Sequence, residues 1–166
     1  MIVVSDSTPL ITLMKAMHLD LLHDLFGEIL IPVAVYSELT MNQSYANEAV
    51  LIQNCCYIKV VNVESTDHVE MLQRATGLDR GESEAIVYAD ESKADLLLMD
   101  ESKGRKVAQN MNLPIAGSMG ILIRAYRAGL MTVDEIDEAI GRLRESTVHI
   151  SERLFQSVHE AVHRNR

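Results

Sequence analysis

Short apolar runs alternate with stretches of helical periodicity along most of this chain. The clearest runs are Ile2–Val4, Ile29–Ile31 and Leu96–Met99, and each is followed by a helical pattern. Leu96–Met99 contains no polar residue, which is typical of a central parallel strand buried on both faces. Strands that alternate with helices build βαβ units. The sequence therefore predicts an α/β fold in which a parallel sheet lies between layers of helices.

Residues that favour helix ends locate several of the predicted boundaries. Ser7 or Thr8 is expected to cap the first helix, with Pro9 in its first position. Pro32 is expected to begin the helix that carries Glu38, and Gly77 to end another helix. The C-terminal 35 residues predict two helices with no strand between them.

The overall charge restricts the ways in which this chain could contact nucleic acid. The formal net charge is −9, from 15 Lys and Arg against 24 Asp and Glu. This balance disfavours a protein that holds nucleic acid by a broad basic surface. It leaves open an enzyme that contacts a phosphodiester through metal ions. No apolar run approaches the roughly 20 residues of a membrane helix, and the N-terminus lacks a basic stretch, so we expect a cytoplasmic protein with no membrane partner.

Acidic residues stand at several junctions between predicted strands and helices. Asp6 and Asp100 each follow an apolar run, Glu38 lies on the helix after the second run, and Glu82 opens a later helix. The carboxyl ends of parallel strands lie at one edge of a sheet, where open α/β proteins bind ligands. Converging carboxylates repel one another unless a hard cation such as Mg²⁺ or Mn²⁺ lies between them. Any one of these acids alone is better explained as a helix cap or a solvated side chain, but together they predict a metal site.

Two neighbouring acids leave the assignment of that site open. Glu84 is two residues from Glu82, so on a helix the two side chains point about 200° apart and cannot both face one site. Glu101 directly follows Asp100, and either could supply the fourth carboxylate. Glu84 and Glu101 are therefore kept as alternates.

Other catalytic patterns receive little support. The chain has no GxSxG, GxxxxGK[ST] or GxGxxG motif. The residues His159 to His163 do fit HExxH, but a zinc peptidase needs a third ligand, and none follows before Arg166. Because chance matches to so short a pattern are frequent, a metallopeptidase is disfavoured.

With these residues in place, the chain resembles the PIN-domain family, in the branch related to toxin nucleases of toxin–antitoxin pairs. The resemblance rests on six segments in the family's order: Val3–Ile11, Ile31–Leu39, Leu78–Ile86, Ala94–Glu101, Gly104–Ala108 and Gly117–Leu122. It implies a three-layer α/β/α sandwich with a central parallel sheet. The implied boundaries are a PIN-like nuclease domain over 1–130 and a helical extension over 131–166, which packs on that domain or on a partner.

The resemblance also implies an activity. The expected function is cleavage of RNA by a Mg²⁺- or Mn²⁺-dependent endoribonuclease, with Asp6, Glu38, Glu82 and Asp100 as catalytic metal ligands. Ser7, Thr8, Lys103 and Arg105 are expected to contact the substrate. A small antitoxin protein and a second copy of the chain, forming a dimer, are the expected protein partners.

One departure from the family pattern leaves a second, non-catalytic function open. The family commonly has Thr two residues before the last acid, where this chain has Leu98. The alternative is therefore a non-catalytic PIN-like module that binds RNA or protein. A phospho-accepting receiver domain is a weaker third hypothesis, because it needs an acidic pair after the first strand and Asp6 stands alone there.

Overall fold

A computed structural model describes residues 1–164. The strands are, in chain order, β1 (Val3–Ser5), β2 (Ile29–Pro32), β3 (Ile58–Val61), β4 (Leu96–Leu98) and β5 (Ile115–Ala116). The helices of the described range are α1 (Ser7–Lys15), α2 (Leu21–Phe26), α3 (Val33–Met41), α4 (Ala46–Gln53), α5 (Thr66–Thr76), α6 (Arg80–Glu91), α7 (Ser102–Asn110), α8 (Ser118–Arg127), α9 (Val133–Glu145) and α10 (Glu152–His163). A short 3-10 turn over Gln43–Tyr45 precedes α4.

The strands form one parallel sheet in the order β3-β2-β1-β4-β5. β1 lies at its centre and pairs with β2 through Val4 and Leu30, and with β4 through Val3 and Leu96. The chain winds outward from β1 in one direction, then crosses to β4 and continues in the other. This places a topological switch point between β1 and β4, where the two following loops diverge.

Alternating side chains of the central strands divide the interior into two cores. Val3, Leu96 and Leu98 face the larger core, which α1, α2, α3 and α8 cover together with the two C-terminal helices. Val4 and Leu97 face the smaller core beneath α6 and α7. The predicted three-layer α/β/α sandwich with a central parallel sheet is thereby confirmed.

The C-terminal helices close the larger core of the same chain. Ile136 and Ile140 of α9 and Phe155, Val158 and Val162 of α10 are buried in it. The rest of α9 and α10 remains largely polar. Within residues 1–164, every helix is too short or too polar to cross a lipid bilayer.

Two predicted helix starts are wrong by one or two residues. Asp6, rather than Ser7 or Thr8, is the N-cap of α1, so Pro9 is the third helical residue. Pro32 ends β2 and caps α3 instead of beginning it. Pro32 has φ −63° and ψ 158°, an extended conformation that proline's fixed φ permits as readily as a helical one. Gly77 ends α5 in the left-handed region, with φ 71°, as expected.

Candidate metal-binding acidic site

The predicted acids lie at the carboxyl edge of the sheet, around the switch point. Asp6 follows the central strand β1, and its backbone N–H donates to the carbonyl of Leu98 at 3.0 Å. This hydrogen bond joins the loops after β1 and β4. Glu38 is on α3, directly after β2. Glu82 lies in the first turn of α6, which runs antiparallel to the strands and so begins at this same edge.

Asp6 is the most deeply buried of these carboxylates. Its side chain is 2% exposed, forms no capping hydrogen bond to α1, and leaves Oδ1 with no hydrogen-bond partner. Burial raises the pKa of Asp6 well above its usual value, and the charges of Glu38, Glu82 and Asp79 raise it further against an opposing contribution from the Ser7 backbone. A buried carboxylate oxygen without a partner is costly, so its position favours a compensating ligand or a proton.

Glu38 and Glu82 approach Asp6 from two different helices, and Asp79 lies with them. Burial is the main cause of the raised pKa of both glutamates, and the negative charge of Asp79 adds to it. A Cβ built on Gly81 would lie 3.1 Å from Glu38 Oε2 and 3.5 Å from Asp79 Oδ1, which shows how closely α3 approaches the start of α6. Asp6, Glu38, Asp79 and Glu82 are called the acidic cluster below.

Local sequence explains why Asp79 and Glu82 adopt these positions. Asp79 caps α6 by accepting from the Glu82 N–H at 2.8 Å, and Glu82 Oε2 accepts from the Asp79 N–H at 3.0 Å. This reciprocal capping box fixes both side chains at the helix start. Asp79 was not among the predicted site residues, although the spacing Asp79-Arg80-Gly81-Glu82 carries the capping-box signal in the sequence.

Glu84 serves a different purpose. Its Oε2 accepts from the Ala34 backbone N–H at 3.0 Å, and its Oε1 accepts from Arg80 Nε at 2.8 Å. The side chain thus ties α6 to the first turn of α3. Because Glu84 points away from Glu82, as the helical angle predicts, the structure does not bring this alternate into the acidic cluster.

Asp100 and Glu101 occupy different environments although they are adjacent. Asp100 accepts from the Ser118 N–H at 2.7 Å and from its hydroxyl at 2.9 Å, which binds the loop after β4 to the start of α8. Burial raises the pKa of Asp100, and the Ser118 donors and Arg105 oppose the shift. Glu101 is exposed, and its charge contributes to raising the pKa of Glu82. Asp100 is therefore the more rigidly oriented acid, and Glu101 is electrostatically coupled to the cluster.

The predicted substrate-binding residues surround these acids. The Ser7 side chain lies near Glu38 and lowers its pKa against the effect of burial. Lys103 is exposed and reaches towards the end of α5, since a Cβ on Gly77 would lie 3.0 Å from its Nζ. Arg105 donates to the Met99 carbonyl at 2.8 Å, so its guanidinium is partly occupied by the loop that carries Asp100.

A cleft of about 460 Å³ opens beside Asp100 and Glu101. Its lining includes Thr8, Thr12, Arg105 and the segment between α9 and α10 around His149. Thr12 is 1% exposed, and its hydroxyl oxygen has no hydrogen-bond partner. The cleft therefore places the cationic side chain of Arg105 next to the acids.

The acidic cluster has the chemistry of a site for a hard divalent cation. Within residues 1–164, none of its carboxylates has a Lys, Arg or His nitrogen within 4.0 Å. Carboxylate oxygens are the ligands that Mg²⁺ and Mn²⁺ prefer, and the unpartnered Asp6 oxygen lies among them. The donor oxygens are not drawn together to coordination distance. In the described range, the only group of three or more such donors within 4.8 Å of one another is Asp137, His159 and His163, at a separate location.

The family comparison agrees with this architecture. The DUF3368 family model, described as a PIN domain, matches residues 2–164. The chain therefore belongs to the PIN-domain family, and its fold is of the nuclease type. PIN-domain nucleases generally use divalent metal ions. No curated protein and no solved structure matches the chain significantly.

Proposed function

We propose that this protein is a Mg²⁺- or Mn²⁺-dependent endoribonuclease. The proposal is supported chiefly by the unpartnered buried oxygen of Asp6, which lies among carboxylates of raised pKa at the switch point of a PIN-domain sheet. A protein gains no stability from such an arrangement by itself, because the like charges repel one another. A divalent cation removes that penalty, and nucleases use this ion for phosphodiester chemistry.

Asp6, Glu38 and Glu82 would hold the cation, and the loop after β4 would supply a further carboxylate. When bound, the ion would lower the pKa of a water molecule and offset charge that develops on the phosphate. Asp100 is suited to act as a ligand because Ser118 fixes its orientation, as hydrogen bonds to metal-bound carboxylates commonly do. Glu101 is the alternative, through its proximity to Glu82.

The remaining residues of the site would bind and orient the RNA. Thr8 and Arg105 line the cleft beside the acids, where a nucleotide next to the scissile phosphate could be held. Lys103 is exposed near the start of α6 and can contact the backbone electrostatically.

The test is cleavage of several structured RNAs in Mn²⁺, in Mg²⁺ and in EDTA. Wild type is expected to cut only with metal, and Asp6→Asn to lose activity. Asp90→Asn is the matched control, because it makes the same chemical change at an exposed position of α6. No cleavage by folded wild type on any RNA would favour the non-catalytic binding module.

A second pair of variants assigns the fourth acid. Asp100→Asn and Glu101→Gln are compared for cleavage at increasing Mn²⁺ concentration. The variant that lacks the ligand should need more Mn²⁺ to reach half its maximal rate, whereas the other variant should keep the wild-type metal dependence. Equal metal dependence in both variants and wild type would place the whole ligand set on Asp6, Glu38 and Glu82.

The toxin role is proposed on the family resemblance and needs a cellular test. Expression of wild type in a bacterial host should arrest growth, and Asp6→Asn should relieve the arrest. Co-expression of a small antitoxin from a neighbouring gene should restore growth for wild type. Normal growth on expression of an active nuclease would refute the toxin role without refuting the ribonuclease.

A further inference from the structure

Two histidines outside the acidic cluster gain a third potential ligand from the tertiary structure. His159 and His163 lie one turn apart on α10, with their ring centroids separated by 4.0 Å. Asp137 of α9 stands opposite them. The HExxH pattern contains no third ligand downstream of His163, but the packing of α9 against α10 supplies one from upstream.

The distances are those of a nearly assembled metal site. His163 Nε2 lies 3.3 Å from the Asp137 carboxylate, and His159 Nδ1 lies 4.0 Å from its Oδ1. One donor atom from each of the three residues lies within 4.8 Å of the others. Tetrahedral Zn²⁺ with bonds of about 2.0–2.1 Å separates its ligand atoms by roughly 3.3 Å. Small side-chain rotations would therefore bring this set to coordination distance.

Buried neighbours fix the backbone that carries these side chains. Val158 and Val162 precede the two histidines, are fully buried, and set the rotation of α10 about its axis. Ile136 is also fully buried and does the same for Asp137 on α9. The ligand positions are thus held by the core, although the side chains themselves reach solvent.

Among residues 1–164, Asp137 forms no ion pair with a Lys or Arg side chain. In the part of the chain that the structure describes, no Lys or Arg nitrogen lies within 4.0 Å of its carboxylate. Arg144 forms an ion pair with Glu152 at 2.6 Å on the neighbouring surface, and Arg164 lies 3.7 Å from Glu160. The basic side chains nearby are therefore directed to other acids.

We propose that Asp137, His159 and His163 bind a Zn²⁺ ion, which ties α10 to α9. Two imidazoles and one carboxylate favour Zn²⁺ over Mg²⁺ or Mn²⁺, which prefer all-oxygen ligands. Water would complete the coordination. Glu160 lies 3.7 Å from Arg164 on the exposed side of α10, and the role assigned to the site is metal binding. This site is independent of the proposed ribonuclease.

The test is Zn²⁺ titration of the metal-stripped full chain by calorimetry, in excess Mg²⁺ so that the acidic cluster is occupied. Wild type is expected to bind one equivalent. Loss of a hydrogen-bond partner of a metal ligand typically weakens metal binding by about 10- to 100-fold. Loss of a ligand itself should cost at least as much, so we expect that weakening in each of three variants: His159→Gln, His163→Gln and Asp137→Asn. His68→Gln is the control, an exposed histidine on α5 that should bind as wild type does.

Thermal unfolding supplies a second readout on the same variants. At a Zn²⁺ concentration of about 100 times Kd, the unfolding temperature of wild type and of His68→Gln should rise by about 5–10 °C. The variants at Asp137, His159 and His163 should lose that rise while unfolding cooperatively without metal. Zn²⁺ binding that is absent in wild type, or unchanged in the three variants, would overturn the proposal. Loss of Zn²⁺ binding only in Asp6→Asn would place the ion in the acidic cluster instead and would equally overturn it.

Discussion

The substitution Asp6→Asn should stabilise the metal-free protein while abolishing its stabilisation by metal. The Asp6 carboxyl is buried beside Glu38 and Glu82, and its pKa is raised well above the usual value, mainly by burial. Each pKa unit of such a shift corresponds to about 1.4 kcal/mol between the two protonation states. Asparagine keeps the side-chain shape without the charge, and it is also a good N-cap for α1.

The pH dependence follows from the sign of the shift. Because the folded-state pKa of Asp6 lies above its unfolded value, the folded protein binds the proton more tightly. The contribution of Asp6 to stability is therefore greatest below the unfolded pKa and declines as the pH rises through the folded pKa. In EDTA, the advantage of Asp6→Asn over wild type should grow as the pH rises through the folded pKa of Asp6 and shrink as the pH falls towards the unfolded pKa.

The assay is urea unfolding of both proteins from pH 4 to pH 8, in EDTA and in Mn²⁺. At free Mn²⁺ of about 100 times Kd, wild type should gain about 2.7 kcal/mol, and Asp6→Asn should gain little. Asp90→Asn should follow wild type in both buffers. If Asp6→Asn were less stable than wild type in EDTA at every pH, the Asp6 carboxyl would itself stabilise the metal-free protein, and the reasoning from its unpartnered oxygen would be refuted.

Three further substitutions test separate parts of the site. Glu84→Gln should lower the free energy of unfolding by about 1–2 kcal/mol, because it weakens the hydrogen bonds that Glu84 accepts from Arg80 and from α3. Its Mn²⁺ affinity should equal that of wild type, and a loss of that affinity would instead make Glu84 a ligand. Thr12→Val should keep the free energy of unfolding or raise it by up to about 1 kcal/mol, because it removes an unpartnered buried hydroxyl. A clear loss of stability in urea unfolding would mean that this hydroxyl has a hydrogen-bond partner. Gly117→Ala should lower the unfolding temperature by several degrees, because the added Cβ would lie 2.8 Å from Asp100 Oδ1. Calorimetry that shows no change in the unfolding temperature would mean that this loop adapts freely.

Local sequence patterns were sufficient to predict the layers of the fold. The alternation of apolar runs with helical periodicity defines a parallel sheet between helices, because side-chain period and chain connectivity leave few other arrangements. The same pattern predicts that Asp6, Glu38 and Glu82 meet, since residues just after parallel strands and at the start of the returning helices share one edge of the sheet. The charges of all three are coupled in the structure.

The detailed roles of neighbouring acids required the tertiary structure. Helical geometry separates Glu82 from Glu84, but only the packing of α3 against α6 shows that Glu84 binds the Ala34 N–H. Asp100 and Glu101 are equivalent in the sequence, and they differ because α8 presents Ser118 to one of them.

The His159–His163 pair shows the same limit most clearly. The sequence displays two ligands at helical spacing, whereas the third, Asp137, lies more than 20 residues away and on another helix. Its distance from the histidines depends on how Ile136, Val158 and Val162 pack in the core. Periodicity and caps determine which elements form, whereas contacts between elements decide which side chains share a site, because those contacts depend on helix rotation and separation that no local pattern encodes.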